Sequence, residues 1–329
     1  MGGRLVEGTW YAEGYEPDAD GRFVRQSSLF RDWTRDAAGE RFQPEAGRDH
    51  LFVSLACPWA HRTLIMRSLR GLQDALPVSV VHPDMLDDGW EFREYPGSSA
   101  DPVLGARYMR EIYQAADARF TGRVTVPVLW DTREKTIVNN ESREILRMLD
   151  HAWQGVARRP APDYAPAALQ DSIEVTLDAI YEPVNNGVYK CGFAQSQEAY
   201  EEAADELFGA LAHWNEVLAG QRFLCGDQLT EADICLYTTL IRFDAVYAVH
   251  FKCSQNRIVD YPQLWNYLRD LYQRPGFGDT TNMDHIRRHY YVSHPFINPK
   301  QHIARMPAID FMAPHDRDRF PEQRQGNAA

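Results

Sequence analysis

The run Ser54-Leu55-Ala56-Cys57-Pro58-Trp59-Ala60-His61-Arg62 holds the residue of this chain best suited to chemistry. A cysteine before proline, where a strand hands over to a helix, faces the unpaired N–H groups of the first helical turn. It also faces the positive end of the helix dipole, and both favour thiolate over thiol. Pro58 loses nothing there, because a first-turn N–H has no partner inside the helix. The residue three positions on is Ala60, so the site has a single thiol. It can form a mixed disulfide with an outside thiol but cannot resolve that bond locally. The plainer role for a lone cysteine is that of a small core hydrophobe; the junction argues for the reactive one.

Two other groups gain meaning beside Cys57. In Val126-Pro127-Val128 a proline interrupts an apolar run, which marks either an edge strand or a break where the backbone turns its polar groups outward; a cis peptide would serve the second. Glu141 and Ser142 stand at a helix start. There they can take the amine and carboxylate of a ligand, or simply cap the helix. The surrounding parts resemble those of a thioredoxin-like domain, and that resemblance favours the break, because it implies that the backbone before the proline pairs with an extended peptide as a missing strand would.

The elements that must position these groups alternate between strand and helix. Residues 50–54 are short and apolar between charges, and 62–70 carry apolar residues at helical spacing before Gly71. A second strand follows at 77–82, then a polar insertion at 84–102 containing Trp90 and Tyr95, and a helix at 104–118. A proline-broken strand at 124–130, a short strand at 136–139 and a helix from 140 to about His151 complete an α/β domain over 50–153. Residues 1–49 read as an extended arm whose aromatics dock on the body. Residues 154–166, with three prolines, form a linker, and 167–329 is helical. Thr230-Glu231-Ala232-Asp233 is a capping box with Asp in the return position. It opens a stretch to Val249 that is apolar nearly all round, which places a helix at the centre of its domain.

Composition narrows the class. The chain has 329 residues, 44% hydrophobic and 25% charged, which suits two soluble globular domains. A net charge of −12, from 35 basic and 47 acidic residues, argues against a nucleic-acid groove. The first residues lack the apolar core of a signal peptide, and Val6 stands where a myristoylation signal needs Ser or Thr. No apolar run approaches a membrane span. The cysteines (57, 191, 225, 235 and 253) are odd in number and scattered, which predicts a reducing cytoplasm and no metal site.

Together these motifs resemble the glutathione transferases, with a thioredoxin-like N-terminal domain (mixed sheet, flanking helices) and an all-helical C-terminal domain. More narrowly, the chain resembles the Xi class, the glutathionyl-hydroquinone reductases, over nearly its whole length. The resemblance rests on Cys57-Pro58-Trp59-Ala60-His61-Arg62, Val126-Pro127-Val128-Leu129-Trp130-Asp131 and Ile137-Val138-Asn139-Asn140-Glu141-Ser142. It also rests on Asn185-Asn186-Gly187-Val188-Tyr189-Lys190-Cys191-Gly192-Phe193-Ala194 and on Tyr290-Tyr291 with Ile297-Asn298-Pro299. It implies reduction of S-glutathionyl-hydroquinones to hydroquinones with release of glutathione disulfide, through a Cys57–glutathione mixed disulfide. Glutathione is then a co-substrate, held by Trp90, Arg123, Val126, Glu141 and Ser142, with Arg119 and Arg133 as neighbours of Arg123 that compete for its part. An aromatic pocket falls on Tyr189 and on Tyr290 or Tyr291, with Tyr189 and Tyr290 as proton donors to the leaving ring. Read from the residues alone, Lys190 and Arg62 add positive potential or are simply solvated, Cys191 is a second thiol or, more commonly, a small core hydrophobe, and His61 is a base or, more commonly, structural. The resemblance also implies a homodimer. The alternatives are an omega-like thiol transferase or reductive dehalogenase using the same cysteine, and a non-catalytic binding protein of the same fold.

Overall fold

The computed structural model describes residues 2–158 and 161–323, which fall into two compact units. Neither unit is one continuous stretch. The first takes the chain up to Tyr15, Gln26–Ala161 and Thr280–Ile303; the second takes Glu16–Arg25, Pro162–Asp279 and the chain from Ala304. The expected division, 50–153 and 167–329 about a linker at 154–166, therefore differs at both ends, and linker positions 159 and 160 lie outside the described residues.

In the first unit the arm is more than extended chain. Strands β1 (Arg4–Val6) and β2 (Thr9–Tyr11) form an antiparallel hairpin in which Val6 pairs with Thr9. The two turn residues, Glu7 and Gly8, have φ of 48° and 76°, as a tight primed turn requires. β1 also pairs with β5 (Gly122–Arg123), making a three-stranded sheet. The Trp10 indole N–H donates to the Asp87 carbonyl at 3.0 Å and docks the hairpin on the insertion, as an arm with anchoring aromatics should.

The main sheet contains β3 (Asp49–Val53), β4 (Val78–Val80), β6 (Val128–Asp131) and β7 (Thr136–Asn139), in the order β4-β3-β6-β7. β3 and β4 are parallel; the other pairs are antiparallel. Every residue of β3 and β6 is buried, including the polar Asp49, His50 and Asp131 at their ends. Helix α1 (Pro58–Leu69) packs against α3 (Ser142–His151). The expected strand at 124–130 is shortened: strand begins only at Val128, after the cis Val126–Pro127 peptide, and β5 lies before the expected range. Helix α2 (Met109–Ala116) starts later than expected. Asp101 accepts the N–H groups of Val103, Leu104 and Ala106, and this side-chain turn holds 103–106 out of the helix.

The second unit holds α4 (Gln170–Ile180), α5 (Gly187–Phe193), α6 (Gln197–Val217), α7 (Glu231–Arg242), the short α8 (Ala248–His250) and α9 (Pro262–Tyr272). All twelve residues of α7 are buried, as its all-round apolar pattern predicts. The capping box is present, with the Asp233 carboxylate accepting the Thr230 N–H at 2.8 Å. Helix α10 (Met283–Ser293) belongs to the first unit, against the expectation for 167–329. Ion pairing explains this. Arg288 grips Asp84 through two bonds of 2.8 Å, His289 bonds the Pro83 carbonyl at 2.9 Å, and the Tyr95 hydroxyl donates to Asp284 at 2.7 Å.

Candidate active site

Cys57 is the N-cap residue of α1. Its backbone is extended (φ −71°, ψ 124°), and its side chain caps no N–H of the helix. It is 8% exposed, and its thiol donates to the Val126 carbonyl at 3.5 Å. The sulfur therefore sits at the start of a helix, beside the Val126 carbonyl that precedes the cis Val126–Pro127 peptide. These are the two features that the cysteine and the interrupted apolar run predicted separately, and the fold brings them together. Backbone polar groups before the proline and a helix N-terminus are what an extended thiol peptide needs for pairing and for charge stabilisation. None of the five cysteines is in a disulfide.

Glu141 is the N-cap of α3. One carboxylate oxygen accepts the Arg143 N–H at 3.3 Å and the other accepts the Ser28 hydroxyl at 3.1 Å. Ser142, buried beside it, accepts a long 3.4 Å bond from the Arg62 guanidinium, which also lies 4.4 Å over the Trp59 ring. Arg62 thus acts on Ser142 rather than standing in solvent. Arg123 has an employment that sequence did not suggest. Its guanidinium donates to the carbonyls of Gly2, Glu13 and Gly14 and lies 4.4 Å over the Tyr15 ring, so it ties the N-terminal hairpin to β5. Its neighbours Arg119 and Arg133 form exposed ion pairs with Glu7 and Glu45.

Trp90 and Tyr290 come together through a residue that sequence reasoning overlooked. The Trp90 ring stacks on His289 at 4.8 Å, and His289 meets Tyr290 edge-on at 5.1 Å. Tyr290 also meets His294 edge-on at 5.8 Å. Both tyrosines of α10 are buried, and burial pushes the Tyr291 hydroxyl up to about 12, so it keeps its proton at neutral pH. His289 adjoins Tyr290 in sequence, but nothing local reveals that its ring reaches the insertion. His61 bonds the Thr280 hydroxyl at 2.9 Å and is buried, which gives it a structural partner.

Tyr189 lies in the second unit, within an aromatic cluster of Phe23, Phe193, Tyr247 and Phe251, with the Arg25 guanidinium 4.8 Å over its ring. Lys190 pairs with Glu182 at 3.0 Å and Glu206 at 3.4 Å, so its charge is already matched. Cys191 is buried and adjoins Cys253, whose thiol is pushed well up by burial and by that neighbour. Both are buried, which suits small core hydrophobes.

Comparison with known proteins identifies the family. Residues 56–152 match the family described as glutathione S-transferase, N-terminal domain, and 197–270 match glutathione S-transferase, C-terminal domain. The chain is 50% identical to glutathionyl-hydroquinone reductase YqjG of Escherichia coli (strain K12), over 96% of this chain and 98% of that one. Among solved structures, a Xi class GST from Natrialba magadii superposes with a TM-score of 0.93 at 52% identity, covering 98% of each chain. A glutathione-bound structure of YqjG from the same E. coli strain superposes with a TM-score of 0.88 at 47% identity, covering 97% of this chain and all of that one.

Proposed function

The chain belongs to the glutathione transferase family, and within it to the Xi class of glutathionyl-hydroquinone reductases; from that membership we propose that Cys57 reduces S-glutathionyl-hydroquinones by direct attack on sulfur. The Cys57 thiolate forms an S–S bond with the glutathionyl sulfur while the carbon–sulfur bond to the ring breaks. The ring carbon keeps that electron pair and takes up a proton, so the aromatic leaves as the hydroquinone. A second glutathione thiolate then attacks the mixed disulfide, releasing glutathione disulfide and restoring Cys57. Ala60 is the reason the second thiol comes from outside.

The observation that carries this reading is the position of the Cys57 sulfur, at the N-cap of α1 and 3.5 Å from the Val126 carbonyl. The Val126 backbone is assigned to the peptide part of glutathione, Glu141 and Ser142 to its γ-glutamyl end, and Trp90 to its flank. Arg123 keeps its family-derived role, exerted from a guanidinium that also anchors the hairpin. Tyr290, through His289 in the same unit as Cys57, is the proposed proton donor, and Tyr291 a wall of the pocket. Tyr189 keeps its proposed part on the family resemblance. The homodimer and the cytoplasmic setting rest on the same resemblance; among the described residues no helix is long and apolar enough to cross a membrane.

Mass spectrometry after incubation with glutathione disulfide tests the first step. A single glutathione adduct on Cys57 is expected, and none in Cys57→Ser. Turnover of glutathionyl-menadione should vanish in the same variant. Turnover of hydroxyethyl disulfide without turnover of the quinone conjugate would assign the cysteine to a thiol transferase instead.

A further inference from the structure

The Glu141 carboxylate is oriented by a residue outside the 56–152 stretch that matches the family's N-terminal domain. β7 is the edge strand of the main sheet, and the arm runs along it. The Asp32 N–H donates to the Val138 carbonyl at 3.0 Å, and Arg31 bridges Asn139 in antiparallel sense. The Asn139 amide donates to the Asp32 carbonyl at 3.0 Å. Phe30 and Asn140 exchange two bonds of 3.1 Å, from the Asn140 N–H to the Phe30 carbonyl and from the Phe30 N–H to the Asn140 side chain. This stitching covers an otherwise open sheet edge. It also delivers the Ser28 hydroxyl to 3.1 Å from the Asn140 carbonyl and 3.1 Å from a Glu141 carboxylate oxygen. One hydroxyl hydrogen faces two acceptors, and the carboxylate, being charged, is the stronger. Arg143 holds the other oxygen through its N–H. The carboxylate is thus fixed at both ends while lone pairs remain for a cationic ligand group.

We propose that Ser28 is a positioning residue for glutathione, holding the Glu141 carboxylate in the orientation that receives the γ-glutamyl amine. The proposal rests on the assignment of Glu141 to that amine, made above. Ser28 touches no reacting atom, so it governs binding and not the chemical step. The N-terminal arm is in this way part of the binding apparatus.

The test uses the full chain as wild type, Ser28→Ala and Ser28→Thr. Calorimetry measures binding of glutathione and of its deaminated analogue, which lacks only the γ-glutamyl amine. Steady-state kinetics with glutathionyl-menadione separates KM for glutathione from kcat. Ser28→Ala should raise Kd and KM for glutathione about five- to tenfold, leave kcat at saturating glutathione unchanged, and bind the deaminated analogue as wild type does. Ser28→Thr should restore glutathione binding. Wild-type affinity for glutathione in Ser28→Ala, beside a normal Cys57 adduct, would overturn the role of Ser28 alone. An equal loss of both ligands in Ser28→Ala would overturn it as well, reducing Ser28 to a structural part. Failure of wild type to prefer glutathione over the deaminated analogue would overturn the Glu141 assignment and the proposal with it.

Discussion

Asp49, at the start of β3, stands opposite Asp131 across the antiparallel pair with β6 and is 1% exposed. Arg48 spends its charge on Asp131, and neither Asp49 carboxyl oxygen has a hydrogen-bond partner among the described residues. Burial, reinforced by the Asp131 charge and only partly opposed by Arg48, pushes the Asp49 carboxyl up to about 8. The unfolded chain gives up this proton near 3.8, the ordinary value for an aspartate, so between those pH values the folded chain holds a proton that the unfolded chain has lost. The Asp49 contribution is therefore present at low pH and is lost as pH rises towards 8. On the same strand burial lowers His50 to about 4, so its contribution is lost in the opposite direction, as pH falls from 6.5. The two oppose each other in acid, but above pH 6.5 only Asp49 still titrates. Melting temperatures measured from about pH 6.5 to about pH 9 should fall in wild type and stay flatter in Asp49→Asn. The difference should be on the order of a few kcal/mol at the alkaline end. Parallel curves for the two proteins would sink this assignment. Nothing in the local sequence Arg48-Asp49-His50 distinguishes the charged residue from the neutral one. Cys57 was legible by contrast, because its chemistry follows from neighbours in the chain.

At the scale of elements, the legible features were those set by short-range pattern. The helix at 231–242 follows from its capping box and its all-round apolar sequence, and its start is held at one carboxylate. Asp233, fully buried, accepts the N–H groups of Leu224 and Thr230 and the hydroxyls of Thr230 and Tyr267. Asp233→Ala leaves these donors buried without an acceptor and should cost about 3 kcal/mol or more. Thr230→Ala, which removes only the partner side of the box, should cost about 1 kcal/mol. Denaturant midpoints at equal slope measure both, and equal losses would show that the cap alone matters. Helix α2 begins later than the helix expected from 104 because the competing bonds to Asp101 are invisible to periodicity. The hairpin at the N-terminus was missed for a similar reason. Its strands have three residues each, its turn is Glu-Gly rather than the Asn-Gly or Asp-Gly that announces a primed turn, and its sheet closes only on distant Gly122–Arg123. For the same reason no spacing rule pointed to Ser28 as a partner of Glu141.

Across the whole molecule, each unit takes chain from both halves of the sequence, which composition and linker prolines could not foretell. The segment Glu16–Arg25 belongs to the second unit, where Arg22 pairs with Glu202 at 2.9 Å and the Gln195 N–H donates to the Gly21 carbonyl. The chain beyond Ala304 belongs there too. Arg317, fully buried, donates to the carbonyls of Leu218, Gln221 and Arg222, and Glu322 pairs with Arg274 at 2.7 Å. Reciprocally, Thr280–Ile303 completes the first unit through Arg288–Asp84, His289 and Tyr290. A fragment of residues 50–153 would contain Cys57, Trp90, Arg123, Val126, Glu141 and Ser142, which is everything the motifs assign to glutathione. It would lack α10, leaving Asp84 without Arg288, the Trp90 ring without His289, and the edge strand β7 bare where residues 28–32 now lie. Such a fragment should melt broadly or not at all, and glutathione should not raise its midpoint, whereas the full chain should melt cooperatively and gain stability with ligand as mass action requires. Adding residues 1–49 to the fragment should restore the sheet edge and the Trp10 bond to Asp87 but not the Trp90 stack, so hydrogen exchange should slow at β7 while the segment around Trp90 stays open. A sharp, glutathione-dependent transition in the 50–153 fragment alone would show that the binding half is self-sufficient and that both chain ends are accessory to it.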